Sequence, residues 1–157
     1  MNERRRVKMY LLDVIQRLLS GSQTVGAAFG VFDGAGKLLM VRSRHARGWG
    51  LPAGYRRRGE SIAQTACREL VEETGVVPAP GYELRSVVFE TSPAHVTAVF
   101  QGRLGSRDTV RPSWLKRLEI REAAWFTTEQ IAGLELRDGT SALLTQLSVP
   151  YPTYLPE

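Results

Sequence analysis

The stretch LPAGYRRRGESIAQTACRELVEETGV, residues 51–76, places an arginine-rich loop directly before a segment with strong helix signals. Ser61 and Gln64 have the spacing of a capping box, in which each side chain bonds a free backbone N–H at the start of a helix. Gly75 is a suitable C-terminal cap, because glycine readily adopts the left-handed conformation that ends many helices. These signals predict a helix from about Ile62 to Thr74.

The predicted helix has two chemically different faces. A helix turns through about 100° per residue, and an arc of about that width holds Glu69, Glu72 and Glu73. The opposite face is apolar and holds Ala63, Cys67, Leu70 and Val71. We expect the apolar face to enter the core and the acidic face to remain exposed.

The acidic face is suited to binding metal ions. Three carboxylates held this close repel one another, which costs free energy unless cations lie between them. Hard divalent cations such as Mg²⁺ and Mn²⁺ accept carboxylate oxygens and keep positions open for water and phosphate. Arg68 lies four residues before Glu72 and can orient its carboxylate, while Glu60 can reach the same cations from the loop. A solvated glutamate-rich face is the alternative, but it leaves the pattern of the loop unexplained.

The rest of the chain alternates strand and helix signals. Apolar runs at 24–32 and 38–44 flank the turn sequence DGAGK and predict a β-hairpin. Further strands are predicted at 82–90, 95–104 and 119–126, and short helices at 127–134 and 139–147. Strands and helices mixed along one short chain indicate an α/β fold, in which helices cover both faces of a sheet.

The chain has the size and composition of one domain. Its 157 residues are 43% hydrophobic, which is enough to bury a core without disulfides. We divide it into an N-terminal amphipathic helix at 1–21, the main domain at 22–149 and a proline-rich tail at 150–157. In the simplest interpretation the first helix packs on the domain, and a membrane-surface or homodimer contact is the alternative.

Composition also bounds the partners and the compartment. The formal charge of +5 favours anionic partners such as nucleotides, nucleic acid or acidic lipid. The single cysteine excludes an internal disulfide framework, and no apolar run approaches the roughly 18 residues of a membrane span. We therefore expect a soluble, cytoplasmic protein without a transmembrane segment.

The central stretch has a second regularity, in the spacing of its glycines and charged residues. It runs Gly54, five residues, Glu60, seven residues, Arg68-Glu69-Leu70, one residue, Glu72-Glu73, one residue and Gly75-Val76. Every specified position of the 23-residue Nudix box is thereby filled, and the chain resembles the Nudix hydrolases from about Thr24 to Leu147. The resemblance implies a Nudix-like α/β/α sandwich, with a mixed β-sheet between helices.

The resemblance also implies an activity and a set of ligands. Nudix enzymes hydrolyse the pyrophosphate of a nucleoside diphosphate linked to another moiety, using Mg²⁺ or Mn²⁺. By this likeness Glu72 and Glu73 are the main metal ligands, and Glu69 is a further ligand or the base that deprotonates water. The carbonyl of Ala53 completes the cation shell, and Gly54 lets the backbone approach because it has no Cβ.

The resemblance leaves two questions open, namely which residue is the general base and which compound is the substrate. Some family members place the base on a distant loop, where Glu119 or Glu122 could serve. Side chains that can bind phosphates or stack on a nucleotide base are Arg42, Arg44, Trp49, Tyr55 and Arg57. The alternative for these positions is a solvated basic loop and packing aromatics.

Several substrates fit the resemblance. They are a nucleoside triphosphate, ADP-ribose or a nucleotide sugar, a dinucleoside polyphosphate, and a 5′-triphosphorylated RNA end. We favour a small nucleotide over RNA, because exposed arginines contribute little when they are only solvated. A non-catalytic module that binds a nucleotide and regulates a partner is the alternative function, and the intact Glu69, Glu72 and Glu73 count against it.

Overall fold

The computed structural model describes residues 24–91, 94–105, 113 and 116–147. The helix predicted at 1–21 and the tail predicted at 150–157 lie outside these ranges. The strands are Thr24–Phe32 (β1), Leu38–Ser43 (β2), Trp49–Gly50 (β3), Ala53–Tyr55 (β4), Glu83–Thr91 (β5), Ala94–Arg103 (β6) and Ile120–Phe126 (β7). The helices are Ile62–Thr74 (α1), Thr128–Ala132 (α2) and Thr140–Leu144 (α3), and a 3₁₀ turn spans Lys116–Leu118.

The strands form one mixed sheet. Its order is β3-β2-β1-β6-β5, with β1 and β6 parallel and the other pairs antiparallel. The predicted hairpin of β1 and β2 is present but pairs only where Phe32 faces Leu38, next to the turn. Beyond that point β4 pairs with β1, and β7 pairs with β2. The hairpin therefore opens, which brings β4 to the centre of the sheet.

Helices cover both faces of this sheet. The side chains of β1 alternate, so Phe29 packs in a cluster with Ile62 and Leu70 of α1. On the other face Ala28 belongs to a cluster with Ile131 of α2 and Leu144 of α3. The predicted α/β/α sandwich with a mixed sheet is therefore confirmed. None of the helices in the described ranges is long and apolar enough to cross a membrane.

Helix α1 has the predicted bounds and caps. The Ser61 side chain accepts the Gln64 N–H, the Gln64 side chain accepts the Ser61 N–H, and Gly75 is left-handed with φ of 74°. The expectation of an exposed acidic face is wrong, however. Glu69 and Glu73 are only 4% and 5% exposed, whereas Val71 of the supposed apolar face is 39% exposed. The helix is covered on a second side, where β4 packs against it.

The two glycines that end helices α1 and α2 offer a matched test of the cap. Gly75→Ala should lower the free energy of unfolding by about 1 kcal/mol, because an L-residue is strained in the left-handed region. Gly133→Ala should be nearly neutral, since Gly133 has a φ of −96° and an added Cβ would meet nothing closer than 3.7 Å. Urea denaturation measures both. An equal loss of unfolding free energy in Gly75→Ala and Gly133→Ala would contradict the assignment of Gly75 as the left-handed cap of α1.

Candidate catalytic site

Arg68 is the centre of the charged site on α1. Its guanidinium bonds both oxygens of Glu60, at 2.5 and 3.0 Å, and donates to the backbone carbonyl of Tyr55 at 2.9 Å. The same group contacts Glu69 Oε1 at 2.5 Å and Glu72 Oε2 at 3.3 Å. One buried cation thus ties the helix to the loop and to β4.

Glu60 is committed to this arrangement. Besides Arg68, its carboxylate accepts the Thr65 hydroxyl and the Arg57 N–H, each at 3.0 Å. The hydrogen bonds from Arg68 are the main reason that the pKa of Glu60 falls to about 2. The Glu60 carboxylate is therefore bonded to Arg68. It acts on Glu69 and Glu72 by holding the Arg68 side chain that contacts them.

Glu69 lies against the backbone of β4. A Cβ added to Gly54 would lie 2.2 Å from the Glu69 carboxylate carbon and from its Oε1 atom, so a larger residue here would displace that carboxylate. Glu69 Oε2 is buried, and it has no hydrogen-bond partner among the described residues. The missing Cβ of Gly54 thus makes room for the Glu69 carboxylate, a contact that the sequence did not predict.

Glu73 is the second buried carboxylate. The Ala53 N–H donates to its Oε2 atom at 3.2 Å. Burial, followed by repulsion from Glu69, raises the pKa of Glu73 to about 8, although Lys116, the Ala53 N–H and Arg137 oppose the shift. Burial and the neighbouring Glu69 carboxylate thus favour the protonated form of Glu73 at neutral pH.

Glu72 lies at the rim of the same site. Its carboxylate pairs with Arg57 at 3.2 Å and with Arg68 at 3.3 Å. The Arg57 side chain is largely exposed, whereas Arg68 is nearly buried. Glu72 therefore joins the buried carboxylates to the solvent side of the site.

Lys116, which the sequence analysis did not single out, enters the site from the 3₁₀ turn. Its Nζ atom lies 3.3 Å from Glu69 Oε2, 4.0 Å from Glu73 Oε1 and 2.9 Å from Glu119 Oε2. In this arrangement no three His, Cys, Asp or Glu side chains of the described ranges are placed to hold a metal ion together. Among the described residues, Arg57, Arg68 and Lys116 contact Glu69, Glu72 or Glu73 instead.

Arg137 is a second cation that sequence reasoning missed. Its Nη2 atom lies 3.3 Å from the Leu51 carbonyl, and a Cβ on Gly50 would come within 2.5 Å of the same atom. Its charge lowers the pKa of Glu73. Neither Lys116 nor Arg137 has a sequence spacing that ties it to α1, so only the tertiary fold could reveal them.

The remaining predicted residues divide between two places. Glu119 reaches the glutamates through Lys116, and the Arg44 Nε atom donates to the Arg117 carbonyl in the same turn at 3.0 Å. Arg42 pairs with Glu122 and lies over Trp49, 5.4 Å from the ring centroid, so these three form a separate group on β2, β3 and β7.

Tyr55 stands at the end of β4. Its ring is 66% exposed and meets the His95 ring edge-on, with the ring centroids 5.3 Å apart. The Tyr55 backbone carbonyl, rather than its ring, contacts Arg68. The ring therefore remains available to a ligand on the solvent side.

Comparison with known proteins gives a single family. The NUDIX domain model matches residues 22–146. Among solved structures the chain is similar to a MutT NUDIX hydrolase from Burkholderia pseudomallei, with a TM-score of 0.68 and 22% identity over 82% of this chain and 100% of that one. No curated protein matches the sequence.

Two further solved structures resemble the chain. The NUDIX domain of Shewanella oneidensis NrtR, complexed with ADP ribose, has a TM-score of 0.68 and 22% identity over 93% of this chain and 96% of that one. A NUDIX hydrolase from Nitrosomonas europaea has a TM-score of 0.60 and 26% identity over 82% of each chain.

The matched region includes every described strand and helix and the complete Gly54–Val76 pattern. The resemblance stated from the sequence is thereby confirmed. The family and the hydrolases among its structural neighbours also support a pyrophosphohydrolase enzyme. The chain belongs to the NUDIX domain family.

Proposed function

We propose that this protein is a divalent-metal-dependent pyrophosphohydrolase, which cleaves the pyrophosphate linkage of a small nucleoside-diphosphate derivative. The observation that carries the proposal is the buried pair Glu69 and Glu73, which lie against Gly54 and Ala53 of β4 and repel each other enough to help raise the pKa of Glu73. Two carboxylates buried side by side destabilise the folded state. Their presence is therefore better explained by a function than by stability.

The residues present fit Mg²⁺ or Mn²⁺. Carboxylate oxygens are the ligands that these hard cations prefer. The buried Glu69 Oε2 atom has no hydrogen-bond partner among the described residues and has the Lys116 ammonium 3.3 Å away as an ion-pair partner. Burial and repulsion from Glu69 raise the pKa of Glu73, and a bound cation would relieve that repulsion. Glu69, Glu72, Glu73 and the carbonyl of Ala53 would hold the cation. When bound, it would neutralise phosphate oxygens and acidify a water molecule.

The protein side chains have distinct roles in this proposal. Arg68 orients Glu69 and Glu72 and is itself held by Glu60, so the carboxylates are fixed before substrate arrives. Glu69 or Glu119 accepts the proton of the attacking water. Glu119 is the stronger of the two distal candidates, because it shares Lys116 with Glu69, whereas Glu122 pairs with Arg42.

The arginines support a small nucleotide as substrate. Arg57 pairs with Glu72, and the Arg56 Nη1 atom donates to the Glu60 carbonyl at 3.1 Å, so both are engaged within the protein. Arginines held in this way are less available to extra phosphates or to an RNA backbone. Trp49 with Arg42 and the exposed ring of Tyr55 are candidate contacts for the base.

Nucleotide binding without catalysis is the second candidate function. It is favoured by the NUDIX domain of Shewanella oneidensis NrtR, which was solved in complex with ADP ribose. The two functions differ in whether ADP-ribose is only bound or also cut.

A substrate panel separates these functions. ADP-ribose, a nucleoside triphosphate and a dinucleoside tetraphosphate are incubated with Mg²⁺, with Mn²⁺ and with EDTA, and nucleoside monophosphate and phosphate release are measured. We expect cleavage of at least one compound, abolished by EDTA. Tight binding of ADP-ribose with no cleavage of any compound would favour the binding module.

Loss of a metal ligand should remove activity and leave the fold. Glu72→Gln and Glu73→Gln should each lower kcat by at least about a hundredfold, because a neutral amide binds a hard cation poorly. Glu135→Gln is the matched control, since Glu135 pairs with Arg47 at the surface. Near-normal turnover in a folded Glu72→Gln or Glu73→Gln variant would exclude that residue from the mechanism.

The metal-free protein should lose stability as Glu73 ionises. The pKa of Glu73 is about 8 in the folded protein against 4.5 for the ordinary carboxyl, so between these values the folded state binds a proton that the unfolded state lacks. The free energy of unfolding should therefore fall by about 2–4 kcal/mol as pH rises from about 5 to about 8.

This pH dependence is measured by urea denaturation in EDTA. Glu73→Gln should flatten the profile because the amide does not titrate, while Glu135→Gln should keep it. A parallel profile in wild type and Glu73→Gln would assign the dependence to other groups.

A further inference from the structure

We propose that Lys116 is a built-in competitor of the divalent cation, whose ammonium group neutralises Glu69 and Glu73 in the metal-free protein and is displaced when metal binds. The inference rests on the proposed metal-dependent function. It goes beyond that function by naming the residue that sets how tightly the cation is held.

The contacts of Lys116 are those of a cation among carboxylates. Its ammonium lies within 4.0 Å of Glu69, Glu73 and Glu119, and its side chain is only 16% exposed. The contact with Glu69 reaches Oε2, the buried oxygen that no described residue hydrogen-bonds. The Lys116 ammonium therefore lies beside the two buried carboxylates of Glu69 and Glu73, where a positive charge is stabilising.

This compensation is incomplete. A single positive charge faces Glu69 at 3.3 Å but Glu73 only at 4.0 Å. Arg68 adds a second positive charge beside Glu69, so Glu73 is the less compensated of the two carboxylates. A divalent cation carries the missing charge and can bind both carboxylates directly, so it should replace the ammonium. Both cations cannot stay, because they would repel each other at this distance.

Backbone hydrogen bonds attach the Lys116–Leu118 turn to β2 and to α1, so a movement of the Lys116 side chain alone would be enough to displace its ammonium. The Arg44 N–H donates to the Glu119 carbonyl at 2.7 Å, which attaches the end of the turn to the end of β2. The Ser113 N–H donates to the Glu72 carbonyl at 2.8 Å, and the Arg117 N–H donates to the Ser113 carbonyl at 3.0 Å. These bonds hold the turn beside α1.

Glu119 gives the displaced ammonium a place to go. It lies three residues after Lys116 in the same turn, and its side chain is 57% exposed. Lys116 can therefore keep its 2.9 Å pair with Glu119 while it leaves Glu69 and moves toward solvent. Its four-carbon stem is flexible enough for this change without a shift of the backbone.

The test compares metal affinity with and without the ammonium. Lys116→Met keeps the apolar stem and removes the charge, and it should bind Mn²⁺ at least about tenfold more tightly than wild type. Lys116→Arg retains a positive charge and should keep the weak affinity. Lys37→Met removes one positive charge from the turn before β2 and should change the dissociation constant by less than about twofold. Electron paramagnetic resonance of free Mn²⁺ measures each constant.

Thermal unfolding gives an independent readout. Without metal, Lys116→Met should melt below wild type, because Glu69 and Glu73 lose their counter-ion. With saturating Mn²⁺ the difference should shrink or reverse, so the metal-induced rise in Tm is larger in the variant. Lys116→Gln serves the same purpose if the methionine variant fails to fold.

Three results would overturn the proposal. A purely structural lysine would lower Tm equally with and without Mn²⁺ and leave the dissociation constant unchanged. Weaker Mn²⁺ binding in Lys116→Met would mean that Lys116 stabilises the metal-bound protein and does not compete with the metal. If neither wild type nor Lys116→Met binds Mn²⁺, the proposed metal-dependent function fails as well. If both bind Mn²⁺ with the same dissociation constant, only the proposed role of Lys116 is excluded.

Discussion

The guanidinium of Arg68 is the interaction on which the site depends. It bonds Glu60 before the helix, the Tyr55 carbonyl at the end of β4, and Glu69 and Glu72 within the helix. Loss of this one side chain would leave the buried Glu69 carboxylate with Lys116 as its remaining cationic contact among the described residues and would detach Glu60 from the helix, so it should be strongly destabilising. The spacing of Glu60, Glu69 and Glu72 in the sequence pattern is thus the spacing of groups that surround one cation, with Gly54 making room for Glu69.

The local part of this structure could be predicted from the sequence. Caps act over three or four residues, so Ser61, Gln64 and Gly75 were sufficient to bound α1. The longer strands and both short helices also follow from apolar periodicity and turn residues. Strands β3 and β4 were missed, because runs of two and three residues are too short to display alternation.

The burial of the acidic face could not be predicted in the same way. Periodicity places the apolar face at Ala63, Cys67, Leu70 and Val71. Of these, only Leu70 belongs to the fully buried stripe that it forms with Ile62 and Ala66. Periodicity also does not reveal a second covered side. Glu69 and Glu73 are buried because β4 and the Lys116–Leu118 turn lie over them. Both contacts join parts of the chain that are distant in sequence, so no local pattern contains them.

The two cations of the site differ in the number of groups that hold them, and this difference decides which one can yield to a metal. Arg68 presents a planar guanidinium to four separate partners, so moving it would break several hydrogen bonds at once. Lys116 presents a single ammonium to Glu69 and Glu73 without a backbone acceptor among its described contacts, and it can retain Glu119 as it turns outward. A fixed cation that orients the carboxylates and a movable one that neutralises them can therefore act on the same glutamates. Under the proposed metal-dependent function, a divalent cation bound to Glu69 and Glu73 would relieve their repulsion and so stabilise the folded protein.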